Sequence, residues 1–307
     1  MNIKELLLRL LVLLKIIKIP KTDISDRWIN GFVVFQNELK SNLDFDIMIN
    51  SLYKMNKNKV RNGFIRIPMP KDMLLMPNYI YLINRMINAK LTPIALLDTY
   101  NNYNITKQRL YSLINDTNIR YIEIFNELPH MTYIGEQFKS FNDCFIAIRK
   151  IYEYIKSKNK NIKVISMSPV NICQEIYHDE WKIYNYEILK SFLVNDVSDI
   201  ISVHCYINSI KETVRLLEMI DYIKKHNMLN KPIWITEIGC NNQDKQIDFF
   251  EEKVALANKL LNPQATIWYR LFCKKNDDID KDYAIIKTFG DSVVPNKFYD
   301  YLILNYK

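Results

Sequence analysis

The chain alternates short apolar segments with longer segments of helical periodicity, and this alternation constrains the fold more than any other feature. The short segments are rich in β-branched and aromatic residues and are too short for buried helices. Eight of them occur, beginning at Gly31, Gly63, Pro93, Tyr121, Ile162, Asp199, Pro232 and Ala265. Eight successive βα units with right-handed crossovers close into a (β/α)8 TIM barrel. An open doubly wound sheet is the alternative, but none of these segments is followed by a GxGxxG phosphate loop.

Length and composition agree with one large domain. The 307 residues are 49% hydrophobic and 25% charged, which is enough apolar material for a full core and excludes a disordered or fibrous chain. Only 5 Gly and 10 Pro occur, and no stretch rich in Pro, Gly and Ser divides the predicted barrel. The tail from Pro295 has the pattern of an eighth helix.

The distribution of charge and the spacing of the Cys and His residues exclude several classes of function. The 42 Lys and Arg exceed the 34 Asp and Glu, but the lysines are scattered among Asn, which predicts a solvated basic surface and no nucleic-acid partner. The five cysteines form no CxxC pair, and their odd number excludes a complete disulfide framework. The four histidines show no HxH or HExxH spacing, so we expect neither a metal nor another cofactor; they are His130, His178, His204 and His226.

The first nineteen residues are predicted to form an extra N-terminal amphipathic helix. Lys4, Glu5, Arg9, Lys15 and Lys18 share about half of the helical circumference, and the remainder is apolar. This helix either covers an exposed end of the core or lies on a membrane surface. We therefore predict a division into residues 1–22 and a catalytic domain over 23–307. No small-residue cleavage site follows, which favours a cytoplasmic or membrane-associated protein over a secreted one.

Polar and aromatic side chains stand where the predicted strands end, which is the edge where barrel enzymes carry their active sites. They are Arg66, Asp98, Asn126, Glu127, His204, Tyr206, Glu237 and Trp268. Taken singly, each has a structural explanation: Arg66 pairs with a buried Glu123, and His204 and Trp268 belong to the core. The informative feature is a pair of carboxylates, Glu127 and Glu237, at the ends of the fourth and seventh strands. Two facing carboxylates are what retaining glycoside hydrolysis requires.

Two short motifs carry a resemblance to a known group of enzymes. EIFNE at 123–127 and WITEIG at 234–239 resemble the signature of the clan A glycoside hydrolases, the large (β/α)8 group that includes cellulases, mannanases and xylosidases. The resemblance implies that Glu127 is the general acid/base and Glu237 the nucleophile. It also implies that Asn126 binds the sugar 2-hydroxyl, a contact that strengthens in the transition state.

The same resemblance implies supporting roles for four more residues. Arg66 keeps Glu237 ionised, and Tyr206 donates a hydrogen bond to Glu237. His204 shapes the same subsite, and Trp268 forms the floor on which the apolar face of the sugar stacks. Cellulase-like family five members carry a His shortly after the third strand, where this chain has Thr99 and Tyr100. A family thirty-nine-like enzyme fits about as well.

These features predict a retaining hydrolase of β-glycosidic bonds in an oligo- or polysaccharide. Two alternatives stay open. One is a barrel that binds sugar without turnover. The other is a glycosidase of exopolysaccharide biosynthesis that works at a membrane, with residues 1–19 in contact with the membrane surface.

Overall fold

The structure, a computed structural model, describes residues 20–304 apart from 36–38, 40–41, 56, 58, 99, 101, 128–137, 274–280 and 290–291. The predicted helix over 1–19 lies outside the described residues, so that helix and the predicted division at residue 22 stay predictions. Within the described part, no helix combines the length and the apolar character needed to cross a bilayer.

Eight parallel strands form a TIM barrel, which confirms the predicted fold. The strands are β1 (Ile29–Val33), β2 (Val60–Pro68), β3 (Thr92–Leu97), β4 (Tyr121–Ile124), β5 (Lys163–Ile165), β8 (Ile201–His204), β9 (Ile233–Ile238) and β10 (Ala265–Trp268). Neighbours pair in the order β5-β4-β3-β2-β1-β10-β9-β8. A parallel bridge between Ile165 and Ile200 brings the two end strands together, which completes the circle. Where β1 meets β2, a Cβ on Gly31 would lie 1.8 Å from the Phe64 carbonyl oxygen, so only glycine fits there.

Helices connect the strands on the outside of the barrel. They are α1 (Asn42–Lys54), α2 (Met76–Asn88), α3 (Tyr103–Asp116), α4 (Phe141–Lys158), α5 (Asn185–Val194), α6 (Ile210–His226), α7 (Gln246–Phe249), α8 (Ala255–Leu261) and α9 (Lys297–Ile303). A π-helical segment, Phe250–Val254, joins α7 to α8. Several helices begin at a polar cap; Ser209, for example, accepts from the Glu212 N–H in a capping box. The predicted tail helix is confirmed as α9.

Strand alternation divides the core into two parts. One apolar cluster fills the inside of the barrel and contains Val33, Phe64, Ile94, Ile165, Ile200, Trp234, Ala265 and Ile267. A larger cluster lies between the strands and the helices and takes up the alternate strand residues, such as Ile65, Ile235 and Trp268. Both faces of every strand are therefore buried, as expected for a parallel sheet covered by helices.

The sequence analysis did not predict two small additions to the barrel. A two-stranded hairpin, β6 (Tyr177–His178) and β7 (Ile183–Tyr184), follows β5. A three-stranded sheet follows β10 and consists of β11 (Phe272–Cys273), β12 (Ile286–Phe289) and β13 (Ser292–Pro295). A short 3-10 helix, Lys281–Tyr283, precedes β12 and places Tyr283 above the barrel.

Candidate active site

A pocket of about 300 Å³ opens at the carboxyl ends of the barrel strands, the edge where the sequence predicted the site. Its walls combine acidic, amide and aromatic side chains. They are Val33, Phe35, Arg66, Pro68, Leu96, Asp98, Asn126, Glu127, Tyr206, Glu237, Tyr269 and Tyr283. Of the seven residues to which the resemblance assigns a role, the structure thus brings five to the pocket wall, and Asp98, also predicted at a strand end, lies beside them. His204 lies directly behind the wall, and Trp268 lies elsewhere.

The Arg66 guanidinium organises one side of the pocket. It is buried and forms ion pairs with two carboxylates, Nε to Glu123 Oε2 at 2.6 Å and Nη1 to Glu237 Oε1 at 2.5 Å. Its Nη2 also donates to Asn126 Oδ1 at 2.8 Å. Because a guanidinium only donates, this contact turns the amide oxygen of Asn126 toward Arg66 and leaves the NH2 group for another acceptor. The predicted Arg66–Glu123 ion pair and the predicted Arg66–Glu237 contact are both present.

Glu237 reaches the pocket because strand β9 is irregular at this point. Val203 pairs with Ile235, whereas His204 pairs with Glu237, so one extra residue of β9 lies opposite β8. Such a bulge breaks the alternation of side chains. Thr236 bonds to Ser202 beneath the pocket, and Glu237 also points inward. Tyr206 OH completes the surroundings of Glu237 by donating to its Oε2 at 2.8 Å.

Glu127 reaches the pocket through a second break in alternation, after β4. Glu123 points into the barrel, but Phe125 packs in the outer cluster against Tyr100, so Glu123 and Glu127 do not share a face through simple alternation. Phe125 and Glu127 have φ values of 64° and 45°, a left-handed conformation that costs roughly 1–2 kcal/mol per L-residue. The Glu127 N–H donates to the Ser168 carbonyl at 3.0 Å, which holds this turn against the end of β5.

His204 links the two candidate catalytic carboxylates. Its Nδ1 lies 2.6 Å from Glu127 Oε1 and 3.6 Å from Glu237 Oε2. Burial by itself would lower the pKa of His204, but the charges of Glu237 and Glu127 outweigh it, and the pKa is raised above its usual 6.5. Burial and the same two carboxylates also raise the pKa of Tyr206, which therefore stays a hydrogen-bond donor at neutral pH.

The two candidate catalytic carboxylates are close together. One oxygen of Glu127, one of Glu237 and a ring nitrogen of His204 all lie within 4.8 Å of one another. Of the groups of three or more His, Cys, Asp and Glu in the described part, this trio is the one close enough to share a cation. However, Arg66 already places a positive charge on Glu237, so a metal ion there would face that guanidinium at short range.

The prediction that Trp268 forms the sugar floor is wrong. Its side chain is fully buried in the outer cluster, where it packs against Phe298 and Phe249. Ala265 and Ile267 point into the barrel, so Trp268, one residue later, points toward the helices. The next residue, Tyr269, points inward and lines the pocket.

Sequence reasoning also missed part of the aromatic wall. Phe35, Tyr269, Tyr283 and Tyr206 follow one another around the pocket, with centroid distances of 6.3, 5.4 and 6.1 Å between successive rings. If the inward face of β10 had been known, the alternation of its side chains would have predicted that Tyr269 lines the pocket. No sequence pattern indicated that Tyr283 would line the pocket, because it lies in the 3-10 helix before β12, beyond the last barrel strand.

Comparison with known proteins decides the family. A profile described as the glycosyl hydrolase catalytic core matches residues 95–289, well over half of the chain. The chain belongs to this glycosyl hydrolase family. The matched range covers β3 to β12 and includes Glu127, His204, Glu237 and Tyr269, whereas Arg66 on β2 precedes it. No curated protein sequence matches the chain.

Solved structures show the same fold in glycosidases of low sequence identity. A monomeric β-xylosidase from Caulobacter crescentus CB15 is similar over 92% of this chain and 68% of that one, with a TM-score of 0.66 at 9% identity. A GH5_18 protein from Bifidobacterium longum subsp. infantis gives 0.63 at 9% identity, over 84% and 74% of the two chains. The endo-1,4-β-D-mannanase of Thermotoga petrophila RKU-1 gives 0.56 at 17% identity, over 83% and 92%. The glycosyl hydrolase thus has the (β/α)8 fold of these glycosidases, and its substrates are carbohydrates.

Proposed function

We propose that this glycosyl hydrolase cleaves β-glycosidic bonds with retention of configuration. The observation that supports the mechanism is the separation of Glu127 and Glu237, whose nearest ligand oxygens lie within 4.8 Å. Retaining enzymes hold the two carboxyl groups about 5–5.5 Å apart, whereas inverting enzymes keep roughly 6.5–9.5 Å so that a water fits between. The β specificity rests on the EIFNE and WITEIG motifs and on the β-xylosidase and β-mannanase among the similar structures.

Glu237 is the nucleophile in this proposal. The ion pair with Arg66 and the hydrogen bond from Tyr206 orient its two oxygens and stabilise the negative charge on them. One carboxylate oxygen attacks the anomeric carbon, the bond to the leaving oxygen breaks, and a covalent glycosyl-enzyme forms.

Glu127 is the general acid and base. It gives a proton to the departing oxygen and later takes one from the water that attacks the glycosyl-enzyme. The His204 ring contacts Glu127 at 2.6 Å and holds its carboxyl group in the pocket. The free NH2 group of Asn126 donates to the sugar 2-hydroxyl beside Glu237.

Tyr269 takes the stacking role that the sequence analysis assigned to Trp268. Its ring is half-buried in the pocket wall and is flanked edge-on by Phe35 and Tyr283. Tyr269→Ala should raise KM roughly tenfold with little loss of stability. Trp268→Ala should instead lower the free energy of unfolding by about 3–5 kcal/mol, because it empties a core site. A raised KM for Trp268→Ala, together with a loss of stability in urea for Tyr269→Ala, would instead support Trp268 as the stacking residue.

The experiment that tests the proposal is the stereochemistry of hydrolysis. A panel of chromogenic β-glycosides first identifies a substrate, with and without a chelator, and proton NMR then follows the first product formed from it. We expect the β anomer first, chelator-resistant turnover, and a covalent sugar on Glu237 when a slow fluorinated β-glycoside is used. An α anomer as first product would mean inversion. Binding without turnover of any glycoside would support the non-catalytic sugar-binding barrel.

A further inference from the structure

The end of the barrel opposite the active site carries a cluster of cations. Helices end and strands begin on this face, which we call the basal face; its basic cluster is Lys90, Arg120, Lys158, Lys160 and Lys163. These five side chains are exposed and lie in or beside the three successive connections that precede β3, β4 and β5. No salt bridge to another described residue involves them. Exposed acids of the neighbouring segments include Asp116 at the end of α3 and Asp196 before β8.

A groove lies within the basic cluster. It has a volume of about 690 Å³, and Lys90 and Arg120 are part of its wall. Four amide side chains line it as well, those of Asn115, Asn118, Asn159 and Asn161. Cations surrounded by amide donors suit the oxygens of a phosphate group, because Lys supplies point charge and Arg supplies a planar set of donors.

The basal face also carries apolar groups of the kind that enter a lipid interface. Met228 and Leu229, in the loop between α6 and β9, are 78% and 47% exposed, and the exposed Lys224 and Lys225 stand beside them in the chain. Exposed apolar groups bordered by Lys and Arg are typical of proteins that lie on anionic membranes.

We propose that the basal face of the glycosyl hydrolase docks on an anionic membrane, with lipid phosphates in the groove of the basic cluster. In this orientation the pocket with Glu127 and Glu237 points away from the bilayer, since it opens at the opposite ends of the strands. A nucleic acid fits less well, because the groove wall contains no aromatic ring on which a base could stack.

Vesicle binding tests the docking with the full chain. Sedimentation is measured with vesicles of equal parts phosphatidylcholine and phosphatidylglycerol, and with pure phosphatidylcholine. The basal variant combines Lys158→Gln, Lys160→Gln and Lys163→Gln. A matched control removes the same charge from exposed lysines near the pocket end, by Lys139→Gln, Lys182→Gln and Lys211→Gln. None of these six residues belongs to the catalytic site.

We expect binding to the anionic vesicles alone, weakened by salt. Each cation near an anionic surface contributes roughly a fivefold gain in binding, so the basal variant should lose at least about tenfold and the control less than about threefold. Equal losses in the two variants, or wild-type binding that ignores phosphatidylglycerol, would overturn the proposal. Tighter binding to a single-stranded oligonucleotide than to the vesicles would overturn it in favour of a nucleic-acid surface.

Activity on a soluble substrate tests the orientation. Vesicle-bound and free enzyme should hydrolyse a short soluble glycoside within about twofold of each other, because the pocket remains open to solution. If the vesicle-bound enzyme lost activity while the free enzyme kept it, the proposed orientation of the pocket away from the bilayer would be wrong. The inactive variant Glu237→Gln should bind vesicles as the wild type does, so an error in the proposed reaction leaves the binding measurement intact.

Discussion

The two halves of the catalytic pocket hold the same chemical group in different surroundings. Glu237 lies within a strand, its side chain is 8% exposed, and it contacts a guanidinium and a phenol. Glu127 follows the end of a strand in a left-handed turn, its side chain is 17% exposed, and its short contact is with the imidazole of His204. In the proposed mechanism, these different neighbours, and not the residue type, separate the nucleophile Glu237 from the acid Glu127.

The largest effect is expected on the Glu237 side. Glu237→Ala should lower kcat on unactivated β-glycosides by roughly 10⁵-fold, because no covalent intermediate can form. Azide should rescue turnover of dinitrophenyl glycosides and give an α-configured glycosyl azide, since the anion attacks from the face that Glu237 has vacated. Full activity without rescue would remove Glu237 from the mechanism.

Removal of Glu127 should produce a smaller and different defect. Glu127→Ala should lose roughly 10²–10⁴-fold on natural β-glycosides, the usual contribution of general acid catalysis. With a dinitrophenyl leaving group, which needs no proton, a burst of glycosylation should remain and deglycosylation should stall. Azide should then yield a β-configured product. If the two rescue stereochemistries were exchanged, the assignment of acid and nucleophile would be reversed.

A stability measurement can test the contribution of the Arg66 ion pairs to folding independently of catalysis. Arg66→Met should lower the free energy of unfolding by about 3–5 kcal/mol, because Glu123 and Glu237 then lose their buried counter-charge. Arg66→Lys should fall between this variant and the wild type, since an ammonium cannot bond both carboxylates in the same geometry. Arg61→Met, at an exposed position of the same strand, is the control in urea denaturation. Equal effects at 61 and 66 would argue against a special role for the buried pair.

The smallest expected effect concerns pH on the Glu127 side. Because the pKa of His204 is higher in the folded protein than its usual 6.5, the folded state binds more protons there than the unfolded state does. The stabilisation that proton binding by His204 gives the folded state is complete below about pH 6.5, and it is lost as the pH rises through the raised pKa of His204. We expect the stability difference between wild type and His204→Gln to shrink as pH rises above about 6.5. A difference that grows with pH would contradict the raised pKa.

The sequence by itself determined the barrel and most of the site. Eight predicted strands that alternate with helical segments fit few folds other than the (β/α)8 barrel. In that fold the residues at the carboxyl ends of the strands lie together at one end of the barrel. The sequence therefore predicted Arg66, Asn126, Glu127, Tyr206 and Glu237 together, and the structure brings all five to the pocket wall. The roles of these residues and the helix over 1–19 stay predictions.

Only the tertiary structure decided which side chains face inward. In a barrel both faces of a strand are buried, so hydrophobicity does not distinguish the parity of Trp268 from that of Tyr269. The bulge at Thr236 and the left-handed turn at Phe125 break the alternation of side chains, and each depends on pairing with a neighbouring strand that is distant in the sequence. Tyr283 completes the pocket from a sheet beyond the barrel, a contact that local sequence patterns do not encode.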